Sequence, residues 1–317
     1  FALVSVARSI LGKEHRTSKC MHSRAPKQDV KIWKDKEHGK AFFSGIRTCG
    51  SVWPCPVCAA KISERRRVEL VDALAQAKAI GLHVKLLTLT IPHGLGDDLN
   101  VILAGLLKAW NKTTQGRIGA NLRDLLGLRG YIRAFEVTYG QNGFHPHFHV
   151  LLFLDREWSN SSVKNAFCPV WQNACRLAGL PIPSDLHGCH VDDGSYAAKY
   201  ASKWGLESEM TKGHSKKGKN GGMSPFDFLR AIFAQDKDSK RFIGLFLAYE
   251  KAYKGKRQLY WSNGLRTLLE LAPEATDEEL AATQEESATV LACLSLDQWR
   301  AIAHAKAQSH VLDVAED

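Results

Sequence analysis

Between Tyr131 and Leu154 the chain alternates with a period of two: YIRAFEVTYG, then Gln141-Asn142, then GFHPHFHVLLFL. The two strand-like runs flank Gly140-Gln141-Asn142-Gly143, the Gly/Asn chemistry of a tight turn, so the stretch predicts a β-hairpin. With the turn centred there, Glu136 lies directly across from His147, and His149 follows two residues on. Alternation puts Glu136, His147 and His149 on one face of the sheet. The opposite face, Val150, Phe153 and their neighbours, is expected to be apolar and packed on the core.

Around this hairpin the pattern switches repeatedly between helical and strand-like spacing. Residues 1–48 are weakly patterned apart from a strand over Lys40–Ile46. A long helix is predicted over Ala59–Ile80, with apolar positions at Ile62, Val68, Leu70, Val71, Leu74 and Ala77. Val84–Ile91 reads as a β-branched strand, Leu99–Gln115 as an amphipathic helix, and Ser159–Leu180 as another with Trp171, Cys168 and Cys175 buried. A short strand, Leu186–Val191, precedes the helix-start residues Asp192-Asp193-Gly194-Ser195 and a helix from Tyr196 to Trp204. Thr211–Gly222 is a basic, Gly-rich loop; Ser224–Ala234 and Lys240–Tyr253 are helices, and Leu259–Trp261 is a strand. The expected class is α+β: a central antiparallel sheet with flanking helices. The expected modules are an N-terminal cysteine-bearing segment (1–60), a central α+β domain (61–269) and an acidic helical C-terminal appendage (270–317) that opens on a Thr276/Glu279 capping box.

Chemistry-bearing residues gather at three places. A carboxylate and two imidazoles converging on a pleated surface make a candidate metal site from Glu136, His147 and His149. Cys55-Pro-Val-Cys58 is a knuckle turn whose thiolates can share a tetrahedral ion. Cys49 can be a third ligand and Cys20 the preferred fourth, with His22 or His38 as substitutes. Eight cysteines without a secretory signal argue for reduced thiols or metal. On the Tyr196 helix, Tyr196, Lys199, Tyr200 and Lys203 fall within an arc of roughly 100° and share one face.

Charge adds a partner. The formal net charge is +10, yet Glu270–Asp317 carry 11 acidic and 2 basic residues, so the body before them carries about +19. A body that basic suggests nucleic acid. Lys61, Arg65, Arg66 and Arg67, on the helix beside the zinc knuckle, are the candidate phosphate contacts. No stretch approaches membrane-spanning length and no signal peptide is visible, so a cytoplasmic protein is expected. A metal that polarises a phosphoryl oxygen, combined with a Tyr beside Lys, suits phosphoryl transfer through a covalent phosphotyrosine.

FHPHFHVLLFL resembles the His-hydrophobe-His motif of the HUH endonucleases. CGSVWPCPVCAAKISERR, LLTLTIPH, YIRAFEVTYG, AAKYASKW, SPFDFL and QLYWSNGLR resemble, in family order from Cys20 to Leu268, blocks of plasmid rolling-circle replication initiators. The resemblance implies a palm-like α+β core and a metal-dependent nick of single-stranded or hairpin origin DNA. A 5′-phosphotyrosine and a 3′-OH primer would result. It also implies that His147 and His149, with Glu136, bind Mg or Mn, that Tyr200 is the nucleophile, and that Lys203 and Lys199 hold the scissile phosphate. A host helicase and polymerase are candidate partners; the oligomeric state is open. One departure is Tyr196, which stands where many plasmid relatives have Glu. Its YxxxY spacing is similar to that of two-tyrosine phage initiators and transposases, which implies a second nucleophile. Three rival readings are a two-tyrosine HUH transposase, a histidine-triad nucleotide hydrolase using His145, His147 and His149, and a non-catalytic zinc-dependent DNA-binding regulator.

Overall fold

The computed structural model describes residues 1–36, 39–203, 222–282 and 288–317, with residues 201–203 as backbone only. In chain order the elements are α1 (Ala2–Leu11), β1 (Val30–Asp35), β2 (Ala41–Ser44), α2 (Pro56–Ala79), β3 (His83–Leu89), α3 (Leu99–Thr114) and α4 (Gly116–Leu126). Then come β4 (Leu128–Gly140), β5 (Gly143–Leu154), α5 (Asn160–Ala178), β6 (Cys189–Asp192), α6 (Gly194–Lys203), α7 (Pro225–Phe233) and α8 (Ser239–Tyr253). The last are β7 (Leu259–Trp261), α9 (Leu265–Leu268), α10 (Asp277–Ala282), β8 (Ala288–Leu294), α11 (Leu296–His304) and α12 (Gln308–Glu316). They form two compact units, one of Ser63–Pro225 with Ala248–Glu274, the other of Phe1–Ile62 with Phe226–Leu247 and Ala275–Asp317.

The unit that begins at Ser63 is built on a five-stranded sheet, ordered β6-β3-β5-β4-β7, with every neighbour pair antiparallel. The β4–β5 hairpin is in the register its turn predicts, with Glu136 opposite His147 and Ala134 opposite His149. Gly143 sits at φ +87°, whereas neither Gln141 nor Asn142 takes a positive φ, so the reversal uses glycine only at its exit. On the Glu136 face, Leu70, Ala73 and Ala77 of α2 and Ala197 of α6 bury Ile132, Ala134, Leu151 and Phe153. On the other face Trp110 of α3 meets Tyr131 and Phe148 edge-on, at 5.0 and 5.8 Å. There Trp171 of α5 donates from its indole N–H to the carbonyl of Thr90 at 3.1 Å. Phe153 therefore shares the face of His147 and His149, against expectation. Residues of odd and even number cannot share a face, and with helices on both sides each face is apolar away from the site. Capping fixes the helices that matter here: Asp98 accepts from the N–H groups of Asn100 and Val101 to start α3, and Asp193 accepts from those of Ser195 and Tyr196 to start α6.

The other unit holds a three-stranded antiparallel sheet ordered β2-β1-β8. Its core includes Trp299 of α11, which lies edge-on to Phe43 at 5.2 Å and donates its indole N–H to the carbonyl of His22. The stretch 270–317, expected as a helical appendage, thus contains a strand, paired with β1 from Val30–Leu294 to Asp35–Ala288. A seven-residue run such as ATVLACL has no helix-length periodicity, and only the vacant edge of β1 makes it a strand. The acidic residues there meet local cations: Glu278 pairs with Arg16 at 2.7 Å and Glu316 with Lys40 at 2.8 Å. The unit boundaries fall at 62/63, 225/226, 247/248 and 274/275, so α7 and much of α8 group with this unit. Helices α1 and α4, like strand β1, were not anticipated from the pattern.

Candidate active site

Glu136 and His147 stand opposite one another on β4 and β5, and His149 is the next residue of that face. The Glu136 carboxylate lies 3.7 Å from His147 Nε2 and 3.6 Å from His149 Nε2. These contacts are too long for good hydrogen bonds. Ligands held at about 2.1 Å from one ion lie roughly 3.0–3.4 Å apart, so a few tenths of an ångström of closure would bring these groups onto a shared ion. The imidazoles are also turned correctly. His147 Nδ1 is 3.1 Å from the carbonyl oxygen of His145, which can only accept, so that nitrogen carries the proton and Nε2 offers a lone pair. His149 Nδ1 bonds to Thr88 Oγ1 at 2.9 Å, and Thr88 is directly across β3. The donor set of one carboxylate and two imidazoles fits a divalent cation.

Electrostatics points the same way. Burial would raise the Glu136 pKa, but His149, His147 and the Tyr200 hydroxyl outweigh it and hold the carboxyl at about 2. Burial would lower His147, yet Glu136 raises it above its ordinary value. The fixed negative charge that attracts a proton onto His147 would equally attract a metal ion. His145 is different: burial first, then the neighbouring imidazoles of His147, His93 and His149, lower it to about 4, so it is neutral at pH 7. Its Nδ1 lies 3.3 Å from His93 Nδ1.

α6 crosses this face with Ala197 buried and Tyr200 half-buried, pointing at the site. Tyr200 donates its hydroxyl to Glu136 Oε1 at 2.5 Å, and its ring lies 4.9 Å from that of His149. Tyr196, one turn earlier, is 54% exposed, with Lys199 Nζ 5.8 Å from its ring centre. The side chain of Lys203, the 211–221 part of the basic loop, and His38 lie outside the described residues.

In the other unit Cys20, Cys49, Cys55 and Cys58 converge, all buried, with sulfurs close enough to share one ion. Sγ–Sγ separations of 3.5 Å (Cys20–Cys58 and Cys55–Cys20) and 3.6 Å (Cys49–Cys58) approach the roughly 3.8 Å of a tetrahedral zinc–thiolate centre. The four-thiol set could bind zinc, and His22 is not needed in it.

The basic stripe on α2 divides. Arg66 is buried and forms ion pairs with Glu69 at 3.0 Å and Glu274 at 3.5 Å, so it braces the fold and is not an exposed cation. Helical spacing turns Arg66 toward the same side as Leu70, which the run of charges concealed. Arg67 pairs with Glu64 at 2.6 Å, while Lys61 and Arg65 are half-buried. Sequence reasoning missed Thr88 and His93 as site neighbours. Their signal was the LLTLTIPH block itself, in which Thr88 alternates onto the face that β5 offers.

Residues 42–307 match the family model described as replication protein, and the chain belongs to that family, as its resemblance to plasmid rolling-circle initiators implied. Its relatives include the "Protein rep" of Streptomyces lividans, 27% identical over 83% of this chain and 74% of that protein. The "Protein rep" of Bacillus amyloliquefaciens is 27% identical over 54% of this chain and 48% of that one. A "Neomycin resistance protein" of Streptomyces cyanogenus is 30% identical over 44% of this chain and 40% of that one. No solved structure matches. The chain is therefore a replication initiator of the plasmid type. Among the described residues no helix is long and apolar enough to cross a membrane.

Proposed function

We propose that this initiator nicks and rejoins one strand of its origin DNA, with Tyr200 as nucleophile in a site formed by Glu136, His147 and His149. The observation that carries this reading is the Tyr200 hydroxyl on one Glu136 oxygen while the other faces both imidazoles. Mg or Mn bound there would neutralise charge building on the phosphoryl group and favour the phenolate. A carboxylate held near 2 is too weak a base to take a phenolic proton, so Glu136 orients the hydroxyl and the proton passes to solvent. Tyr200 Oη then bonds to phosphorus as the P–O3′ bond breaks. The 5′-phosphate stays on tyrosine, and the departing 3′ oxygen is protonated to the hydroxyl that primes synthesis. Attack of a later 3′-OH on the phosphotyrosine reverses these bonds and reseals the strand.

Lys199 and Lys203 are the proposed phosphate contacts, and Tyr196 the acceptor of a second transfer. The exposure of Tyr196 suits a group that acts after Tyr200 is occupied. Zinc on the four cysteines would tie the N-terminal segment of its unit together.

The test is a denaturing-gel assay for covalent attachment to end-labelled single-stranded oligonucleotides bearing origin sequence, with Mg or Mn against chelator. A metal-dependent adduct on the 5′-phosphate side, absent in Tyr200→Phe, is the expected result. Persistence of the adduct in that variant would transfer the nucleophile role to Tyr196. DNA binding with no adduct on any origin oligonucleotide would leave a binding protein without this chemistry. Tyr196→Phe should leave the first nick intact and reduce the second transfer.

A further inference from the structure

On the side of the five-stranded sheet away from Glu136 lies a cavity of about 360 Å³, within the range of small-ligand sites. Its inner wall is aromatic. Trp110 forms the base, and Tyr131 and Tyr260 lie 6.1 Å apart with rings inclined by 33°. Arg123 and Arg129 stand at its edge, both exposed, and neither is engaged by a carboxylate among the described residues. Among the described residues no Asp or Glu lines it.

Two further features favour an anion. Behind Tyr260, Arg133 is 7% exposed, its guanidinium stacked between Phe148 at 4.8 Å and Tyr260 at 5.4 Å. Arg133 Nε is buried with no hydrogen-bond partner, and among the described residues no carboxylate pairs with its guanidinium. At the rim, α4 begins at Gly116 with no side chain capping it, and Gln115 and Gly116 both line the cavity. An 11-residue helix thus opens its amide end toward the space.

We infer that this cavity binds one nucleotide, its base stacked on Tyr131 and Tyr260 and its phosphate at Arg123 and Arg129. Aromatic faces beside cationic groups are the chemistry of sequence-tolerant nucleotide capture. The nucleotide can belong to a DNA strand or be free, and the experiment separates the two. It does not depend on the nicking reading, because it is carried out in chelator.

The full-length protein is irradiated with a single-stranded oligonucleotide carrying one 5-iododeoxyuridine, or with 5-iododeoxyuridine monophosphate, and the crosslinked peptide is mapped. Attachment at Tyr260, Tyr131 or Trp110 is expected: with the oligonucleotide alone for a strand site, with both probes for a free-nucleotide site. Where the crosslink maps to Tyr260, Tyr260→Phe should retain it and Tyr260→Leu should lose it. Combined Arg123→Glu and Arg129→Glu, both on the surface, should weaken binding of the crosslinking probe by about tenfold or more. Crosslinks confined to other segments with either probe, or unchanged binding by the Arg variant with its circular dichroism intact, would overturn the inference.

Discussion

Thr88 and Arg66 show how one side chain's neighbours decide its role. Thr88 touches no proposed substrate, but its hydroxyl sets the ring of His149. Outer partners of this kind typically account for 10–100-fold in metal affinity. Thr88→Val, equal in shape and lacking the hydroxyl, should weaken Mn binding by about that range in a calorimetric titration. Thermal stability should be almost unchanged. Arg66, by contrast, holds two carboxylates in a buried position, with Arg266 3.6 Å from Glu69 completing the group. Arg66→Met leaves Glu69 and Glu274 short of a cation and should lower stability by about 3 kcal/mol in urea denaturation. The salt dependence of DNA binding should stay as it is. A salt slope reduced by about one would restore Arg66 as a phosphate contact.

The hairpin was legible in the sequence because two independent signals agree, the turn chemistry and the alternation. Together they specify the pairing of Glu136 with His147. The Cys55–Cys58 knuckle was legible for a similar reason, since ligand spacing is local. What could not be read depended on partners distant in sequence. β8 is a strand because β1 offers an edge, and Phe153 is core on the site face because α2 and α6 lie over it. The hairpin exit is a further element-scale constraint. Gly143 has φ +87°, and a Cβ there would meet the Gly94 carbonyl oxygen at 3.1 Å and Leu95 Cα at 3.2 Å. Gly143→Ala should cost about 1–2 kcal/mol from the backbone alone. Because the turn sets the offset of His147 from Glu136, the same variant should also lose Mn affinity, which a simple loss of stability would not produce below the melting range.

At the scale of the whole chain, the distribution of charge and the sheet of the zinc-bearing unit bear on the same question, the role of residues 275–317. The segment carries nine acidic and two basic residues in a chain of net charge +10, yet Glu278 and Glu316 are engaged with Arg16 and Lys40, and Glu316 also accepts from the backbone N–H of Ala41 at 3.1 Å. Such exposed pairs contribute little individually. Burial is the larger effect: Trp299 is 1% exposed, and β8 covers the full length of β1. Truncation after Glu274 would remove that strand, uncover the β1 edge and open the pocket that Trp299 fills, a loss of the order of 3–5 kcal/mol for the aromatic side chain alone. The segment is therefore expected to be indispensable to its unit. The truncated protein should bind less zinc, measured by metal analysis after dialysis, and its thiols should react faster with a colorimetric thiol reagent, because Cys20 and Cys49 belong to the unit that has lost a strand. Full zinc content and unchanged thiol protection after truncation would return residues 275–317 to the status of a detachable acidic tail.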